Sequence, residues 1–171
     1  RWGRVIVTLD AHKDMAMPPL PRLGIMLPVE RSMRHVTYYG YGPDESYIDK
    51  REHCYVDMFQ AEVEDLHENY IRPQENGSHY HCRYVSLENE KYRLLAEADN
   101  YLDFNVSDYT VEELAGKRHN FELEPASGSL LSLDARMMGI GSNSCGPDLP
   151  EEFLRDEAHT VWKVQLQIEE L

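Results

Sequence analysis

The sequence predicts an all-β protein, an antiparallel β-sandwich with one short helix. Three observations carry that prediction. Short runs rich in Val, Ile, Leu and Tyr recur along the chain, each bounded by Pro, Gly, Asn or Asp. Within several of them apolar and polar residues alternate with a period of two. Helix-start chemistry stands out once, at Thr110-Val111-Glu112-Glu113. Many short strands with turn signals and almost no helix describe a sandwich.

Taken in order, Val5-Ile6-Val7-Thr8-Leu9 is β-branched and apolar and predicts a strand over residues 4–9. Pro18, Pro19 and Pro21 make residues 15–21 a connector, because proline cannot donate to a ladder. A short strand over 23–27 is expected to stop at Pro28. Residues 35–41 form the next, closed by Gly40-Tyr41-Gly42-Pro43, where glycine permits positive φ and proline ends pairing. Residues 44–51 are then loop. Residues 55–62 alternate as a strand, and Glu62-Val63-Glu64-Asp65-Leu66 can add a helical turn.

Residues 79–87 read as a central strand, with Tyr80, Cys82 and Tyr84 on one face and His79, His81, Arg83 and Val85 on the other. Residues 92–98 and 101–106 suit a hairpin turned through Asp99-Asn100. At residues 110–115 Thr110 can accept from the amide of Glu113 while Glu113 reaches back, and Gly116 suits a helix stop. Strands resume over 120–123, 129–136 and 160–168, the last burying Trp162, Val164, Leu166 and Ile168.

At 171 residues the chain suits a single domain that buries about two-thirds of its unfolded surface. Lys and Arg number 17 against 31 Asp and Glu, a net charge of −14. That charge opposes nucleic acid and anionic membranes as partners. No run of about eighteen apolar residues and no basic-then-apolar start occurs, so the chain reads as soluble, in cytoplasm or periplasm. Cys54, Cys82 and Cys145 are too few for a disulfide framework.

The chain is organised around Tyr70-Ile71-Arg72-Pro73-Gln74-Glu75-Asn76-Gly77. Pro73 pushes Arg72 out of the helical region, so the chain runs extended and turns near Asn76-Gly77. Arg72, Gln74 and Glu75 are too polar for a core. They are expected to satisfy one another and nearby backbone at a junction of sheets, the alternative being a plain surface loop.

Few residues signal chemistry. Retaining glycoside hydrolysis needs two carboxylates about 5 Å apart, and no pair among the 31 acidic residues is distinguished by its setting. His79 and His81, two residues apart, could ligate zinc with a third partner, but read more simply as sheet histidines. Asn76-Gly77-Ser78 and Asn105-Val106-Ser107 match the glycosylation sequon, a pattern that chance produces. Gly139-Ile140-Gly141-Ser142-Asn143-Ser144-Cys145-Gly146-Pro147 differs: three glycines, a proline and small polar residues describe an ordered loop whose backbone comes close to something. The alternative is a loop crossing the sandwich edge.

Residues 70–77, together with residues 38–51 upstream and Leu133-Asp134 and residues 138–147 downstream, resemble in order the motifs of one family domain. It is the C-terminal β-sandwich of family-two glycoside hydrolases of the β-galactosidase type, and the likeness runs from about Val5 to about Ile168. The resemblance implies a supersandwich of the galactose-mutarotase-like kind, with this chain as the later portion of that domain. It implies a parent enzyme that hydrolyses terminal β-D-galactosides through a covalent intermediate, with both catalytic glutamates on a barrel outside this chain, which alone is then inactive. Arg72, Pro73, Glu75, Asn76 and Gly77 become a structural motif. Asn143, Ser144 and Cys145 become substrate-rim residues, with Cys145 standing where many members place a tryptophan. That departure removes an aromatic platform.

The implied partners are the galactoside, the catalytic barrel of the same chain and further copies in a homo-oligomer. The Mg and Na that such enzymes often use are expected outside this stretch, and no metal site is assigned within it. A shortened sandwich leaves a sheet edge open to self-association. Two rivals stand beside this reading: a carbohydrate-binding module, suggested by 11 tyrosines and 2 tryptophans, and a purely structural interaction domain.

Overall fold

The computed structural model describes residues 3–141, 146–154 and 156–171. Eight strands are present among them: β1 (Arg4–His12), β2 (Arg22–Val29), β3 (His35–Gly42), β4 (Tyr55–Glu62), β5 (His79–Glu88), β6 (Tyr92–Ser107), β7 (Ser129–Met137) and β8 (His159–Glu170). Helix is confined to α1 (Val111–Gly116), α2 (Glu151–Leu154) and single 3-10 turns at Val63–Leu66 and Asn120–Glu122. The all-β expectation holds. No described helix is long and apolar enough to cross a membrane.

The strands pair antiparallel in the order β1-β8-β6-β5-β3-β4, with β7 on β6 and β2 on β7. β6 is the branch point. Its residues 92–98 pair with residues 164–170 of β8, whereas 103–107 pair with 130–134 of β7. β5 lies on the opposite side of β6, with its register shifted on both sides of Cys82. The β8-β1 and β7-β2 branches thus leave β6 at different heights, and the sheet opens into a sandwich-like arrangement around one core. Tyr38, Cys82, Val85, Leu87, Leu102, Phe104, Leu131, Leu133 and Val164 are each buried in it. A fully buried Leu or Phe of this kind contributes roughly 1.5–3 kcal/mol.

Several local expectations are corrected. Pro28 does not end β2, which continues to Val29; β2 pairs with β7 alone, and an edge strand tolerates a residue with no N–H. Asp99-Asn100 makes no hairpin, and β6 runs through it unbroken. The pair lacks the glycine that favours a two-residue turn. Where a strand was expected over 120–123, residues 120–122 form a 3-10 turn, because the Glu122 carboxylate accepts from the amides of Arg118 and His119, both at 3.0 Å. In α1 the Thr110 hydroxyl accepts from Glu113 N at 3.0 Å. The reciprocal half fails, since the Glu113 carboxylate accepts instead from Glu124 N at 2.8 Å. Ile168, near the end of β8, is exposed. The positive-φ glycines are Gly77 and Gly141 rather than Gly40 and Gly42. Gly40 is needed for space, because a Cβ there would lie 2.2 Å from Cys82 Sγ.

The largest departure lies in β5, where the two predicted faces do not exist. His81 takes φ of 58° and the register with β6 shifts on both sides of Cys82. The Asp103 carboxylate holds this bulge by accepting from His81 N at 2.8 Å and Met137 N at 3.1 Å. The two shifts together bring Cys82 into the core beside His79, Val85 and Leu87.

His79 is 1% exposed, with its ring 4.5 Å from that of Tyr38 and 4.9 Å from that of Phe104. Burial pushes its pKa from 6.5 down to about 4. Between those values the unfolded chain binds a proton that the folded chain refuses, so stability falls as pH drops through the window. The full span corresponds to roughly 3 kcal/mol. Urea unfolding at pH 7 and pH 4.5 should show a smaller acid loss for His79→Gln than for the parent chain. Equal losses would place the acid sensitivity elsewhere.

Candidate functional site

The β3–β4 connection is pinned at both ends. Tyr47 N donates to Lys50 O at 2.9 Å and Lys50 N returns to Tyr47 O at 3.0 Å, a tight turn with Ile48 and Asp49 at its tip. Ser46 N donates to Ser78 O at 2.7 Å, and the Ser46 hydroxyl accepts from Tyr80 N at 2.9 Å, which fastens the loop to the start of β5.

At its centre lies Glu45, 4% exposed. Its carboxylate accepts from the ammonium of Lys50, from the Tyr70 hydroxyl at 2.5 Å and from Gly77 N at 2.8 Å. Lys50 Nζ also donates to the Tyr70 hydroxyl at 3.1 Å. Burial alone would raise the Glu45 pKa, but Lys50, Tyr70 and Gly77 outweigh it and hold the carboxyl below its usual range. Gly77 reaches this position with φ of 72°, where a Cβ would lie 2.3 Å from Leu66 O. Only glycine suits both conditions.

Four residues beyond Glu45, Asp49 grips the glycine-rich segment. Its Oδ1 accepts from Ile140 N at 3.1 Å and its Oδ2 from Gly141 N at 2.9 Å. Successive amides of this kind form a small anion-binding concavity, filled here by a side chain. Gly139 permits the approach, since a Cβ there would lie 2.6 Å from Asp49 Cγ. Gly139 N donates to Phe153 O at 2.9 Å, which ties the same segment to α2. A cleft of about 670 Å³ opens beside this anchor, lined among others by Asp49, Lys50, Tyr70, Gln74, Ile140 and Phe153. The predicted rim residues Asn143, Ser144 and Cys145 lie outside the described residues, but Ile140, Gly141 and Pro147 on either side of them all line the cleft.

The octapeptide has different partners from those expected. Pro73, Asn76 and Gly77 are buried, whereas Arg72 and Gln74 are exposed. Arg72 therefore does not serve Glu75. Arg22 of β2 does, at 3.4 Å, while holding Asp134 of β7 through Nε at 3.2 Å and Nη2 at 2.5 Å. Burial raises the pKa of both Glu75 and Asp134, against the pull of Arg22. Asn76 Oδ1 accepts from Glu68 N at 3.0 Å and its Nδ2 donates to Gln74 O at 2.9 Å. Asn105 Nδ2 donates to Asn76 O, so both sequon asparagines are buried and engaged. His79 and His81 do not converge: the first is in the core, and the second stacks on Tyr101 with centroids 3.3 Å apart.

Sequence alone assigns no role to Glu45, Asp49 or Arg22. The available signal for the first two was a pair of acidic residues flanking a buried aromatic, Tyr47, inside a loop opened by Gly42-Pro43.

Residues 1–167 match the protein family described as beta-galactosidase small chain. Relatives named beta-galactosidase share this stretch. The chain is 40% identical over 151 residues to that of Actinobacillus pleuropneumoniae, covering 88% of this chain and 15% of the relative. It is 38% identical over 167 residues to that of Staphylococcus xylosus, covering 98% and 17%. With that of Arthrobacter sp. strain B7 it shares 34% over 167 residues, covering 94% and 16%. The chain thus spans about one-sixth of the length of these relatives.

Removing Glu45 leaves a half-buried ammonium, a hydroxyl and a buried amide without their acceptor. Glu45→Ala should therefore destabilise the fold by about 3 kcal/mol in urea unfolding, and Tyr70→Phe by about 1 kcal/mol. A Glu45→Ala loss no larger than that of Tyr70→Phe would show that the carboxylate is not the hub.

Proposed function

The chain belongs to the beta-galactosidase small-chain family, and from that premise we propose that it is the later, C-terminal sandwich portion of a family-two β-galactosidase. The full enzyme hydrolyses terminal β-D-galactosides by the retaining route, with acid/base and nucleophile on a catalytic barrel elsewhere in the protein. This chain braces that barrel and carries residues 141–147 to the rim of the sugar site. The observation that supports this most is the double acceptance by Asp49 from Ile140 N and Gly141 N, which fixes where the segment leaves the sheet beside an open cleft.

On this reading Asn143 and Ser144 offer polar contacts to sugar hydroxyls. Cys145 replaces the aromatic platform that a tryptophan would supply. Mg and Na used by the full enzyme are held outside this chain. Further copies join through sheet edges: β1 and β4 end the strand order among the described residues, and exposed Val5, Ile6, Val56 and Met58 lie on them.

In the full enzyme, Cys145→Trp should tighten galactoside binding by roughly 0.5–1.5 kcal/mol through ring stacking. Asn143→Ala should weaken it by roughly 0.5–1.5 kcal/mol, one hydrogen bond. Both changes are read in KM and in the Kd of a competitive inhibitor. If neither constant moves in a folded enzyme, the segment is an edge crossing and the rim role is wrong.

A further inference from the structure

Away from the cleft, at the β1–β8 edge, three side chains with metal-ligand chemistry converge. His12 and His159 are register partners across the antiparallel pair, and Asp10 lies two residues before His12, so all three share one face. The imidazole rings stack with centroids 4.0 Å apart and planes within 6°. Both Nε2 atoms turn to the same oxygen, Asp10 Oδ1, at 2.8 Å from His159 and 3.6 Å from His12.

We propose that Asp10, His12 and His159 form a binding site for a divalent transition-metal ion, zinc in particular, that clips the edge strand β1 to β8. Zinc sits about 2.0–2.2 Å from imidazole nitrogen and carboxylate oxygen, so tetrahedral ligand atoms stand roughly 3.3–3.5 Å apart. The ligand atoms of the triad all lie within 4.8 Å of one another. A small rotation of rings already aimed at one carboxylate brings them to that spacing, with the ion replacing the Asp10–His159 hydrogen bond. The side chains are 63%, 73% and 49% exposed for Asp10, His12 and His159, which leaves room for water to complete the shell.

The donor set chooses the ion. Two imidazoles and one carboxylate favour zinc and its transition-metal neighbours over Mg or Ca, which take oxygen ligands. The nearby ammonium of Lys13 is engaged by Asp156 at 2.7 Å and so does not fill the triad. A net charge of −14 draws cations to the surface in general. The ligands are brought together by β1–β8 pairing, so the ion binds the paired state and stabilises it by mass action. β1 has β8 as its partner strand, and the clip sits at the end of that ladder, where fraying would begin.

The test titrates ZnCl2 into the full polypeptide that carries this chain, by calorimetry in a non-chelating buffer. The parent protein should bind one zinc equivalent more than the His12→Ala/His159→Ala double variant. His35→Ala, which removes an exposed histidine paired with Glu62 elsewhere, should leave the count unchanged. Cobalt should give the intense visible bands of a low-coordinate site in the parent and lose them in the double variant. Zinc should raise the parent's Tm by more than the double variant's, while MgCl2, bound by the full enzyme elsewhere, should shift the two alike. Equal zinc uptake by parent and double variant would overturn the site. A zinc-induced Tm rise no larger in the parent than in the double variant would overturn the clip.

Discussion

A carboxylate withdrawn from water must be met by donors, and Glu45 meets that condition with groups from separate parts of the chain. Lys50 comes from its own loop, and Tyr70 and Gly77 come from the two ends of the octapeptide. Asp49 makes a second such contact on the same loop, with Ile140 and Gly141. Two carboxylates four residues apart therefore join all three stretches that carry the family resemblance. If the loop moved, Gly77 and Gly141 would both lose the acceptors that their positive-φ backbone is shaped to reach.

The apolar core and this polar framework do different work. Packing around Phe104, Leu131 and Leu133 supplies most of the stabilisation, but apolar contacts tolerate slippage. The ion clusters do not. Arg22 holds Asp134 with two nitrogens and reaches Glu75, which sets β2 on β7 and seats the octapeptide against both. Arg34 makes a second fork, to Asp108 at 2.6 and 2.9 Å, and ties the start of β3 to the segment after β6. Such forks add geometric specificity as well as energy. They stand where the branches of the sheet meet, which is where an all-apolar interface would leave the angle least defined.

Strand positions were legible because β-branched runs and proline or glycine boundaries are local signals. Residues 35–42, 55–62 and 129–137 lie within a residue of their expected limits. The misreadings share one cause, a distant partner that overrides a local pattern. Asp103 accepts from His81 N and so converts a regular strand into a bulge, which no alternation count within β5 could reveal. β6 likewise stays extended through Asp99-Asn100, where the local reading favoured a turn, and the pair falls in a register shift against β5. The octapeptide was recognisable as a hub, but its ion partner was not, because Arg22 lies 53 residues away. The triad of Asp10, His12 and His159 was invisible for the same reason: its third member is 149 positions from its first.

The account turns on one loop holding the other two motifs in place, and backbone amide exchange reads that directly. In the full polypeptide, Asp49→Ala should speed exchange at Ile140 and Gly141 while leaving Gly77 protected, and Glu45→Ala should do the reverse at Gly77. Unchanged exchange at Ile140 and Gly141 in a folded Asp49→Ala protein would contradict it, since the glycine-rich segment would then hold its place without the carboxylate.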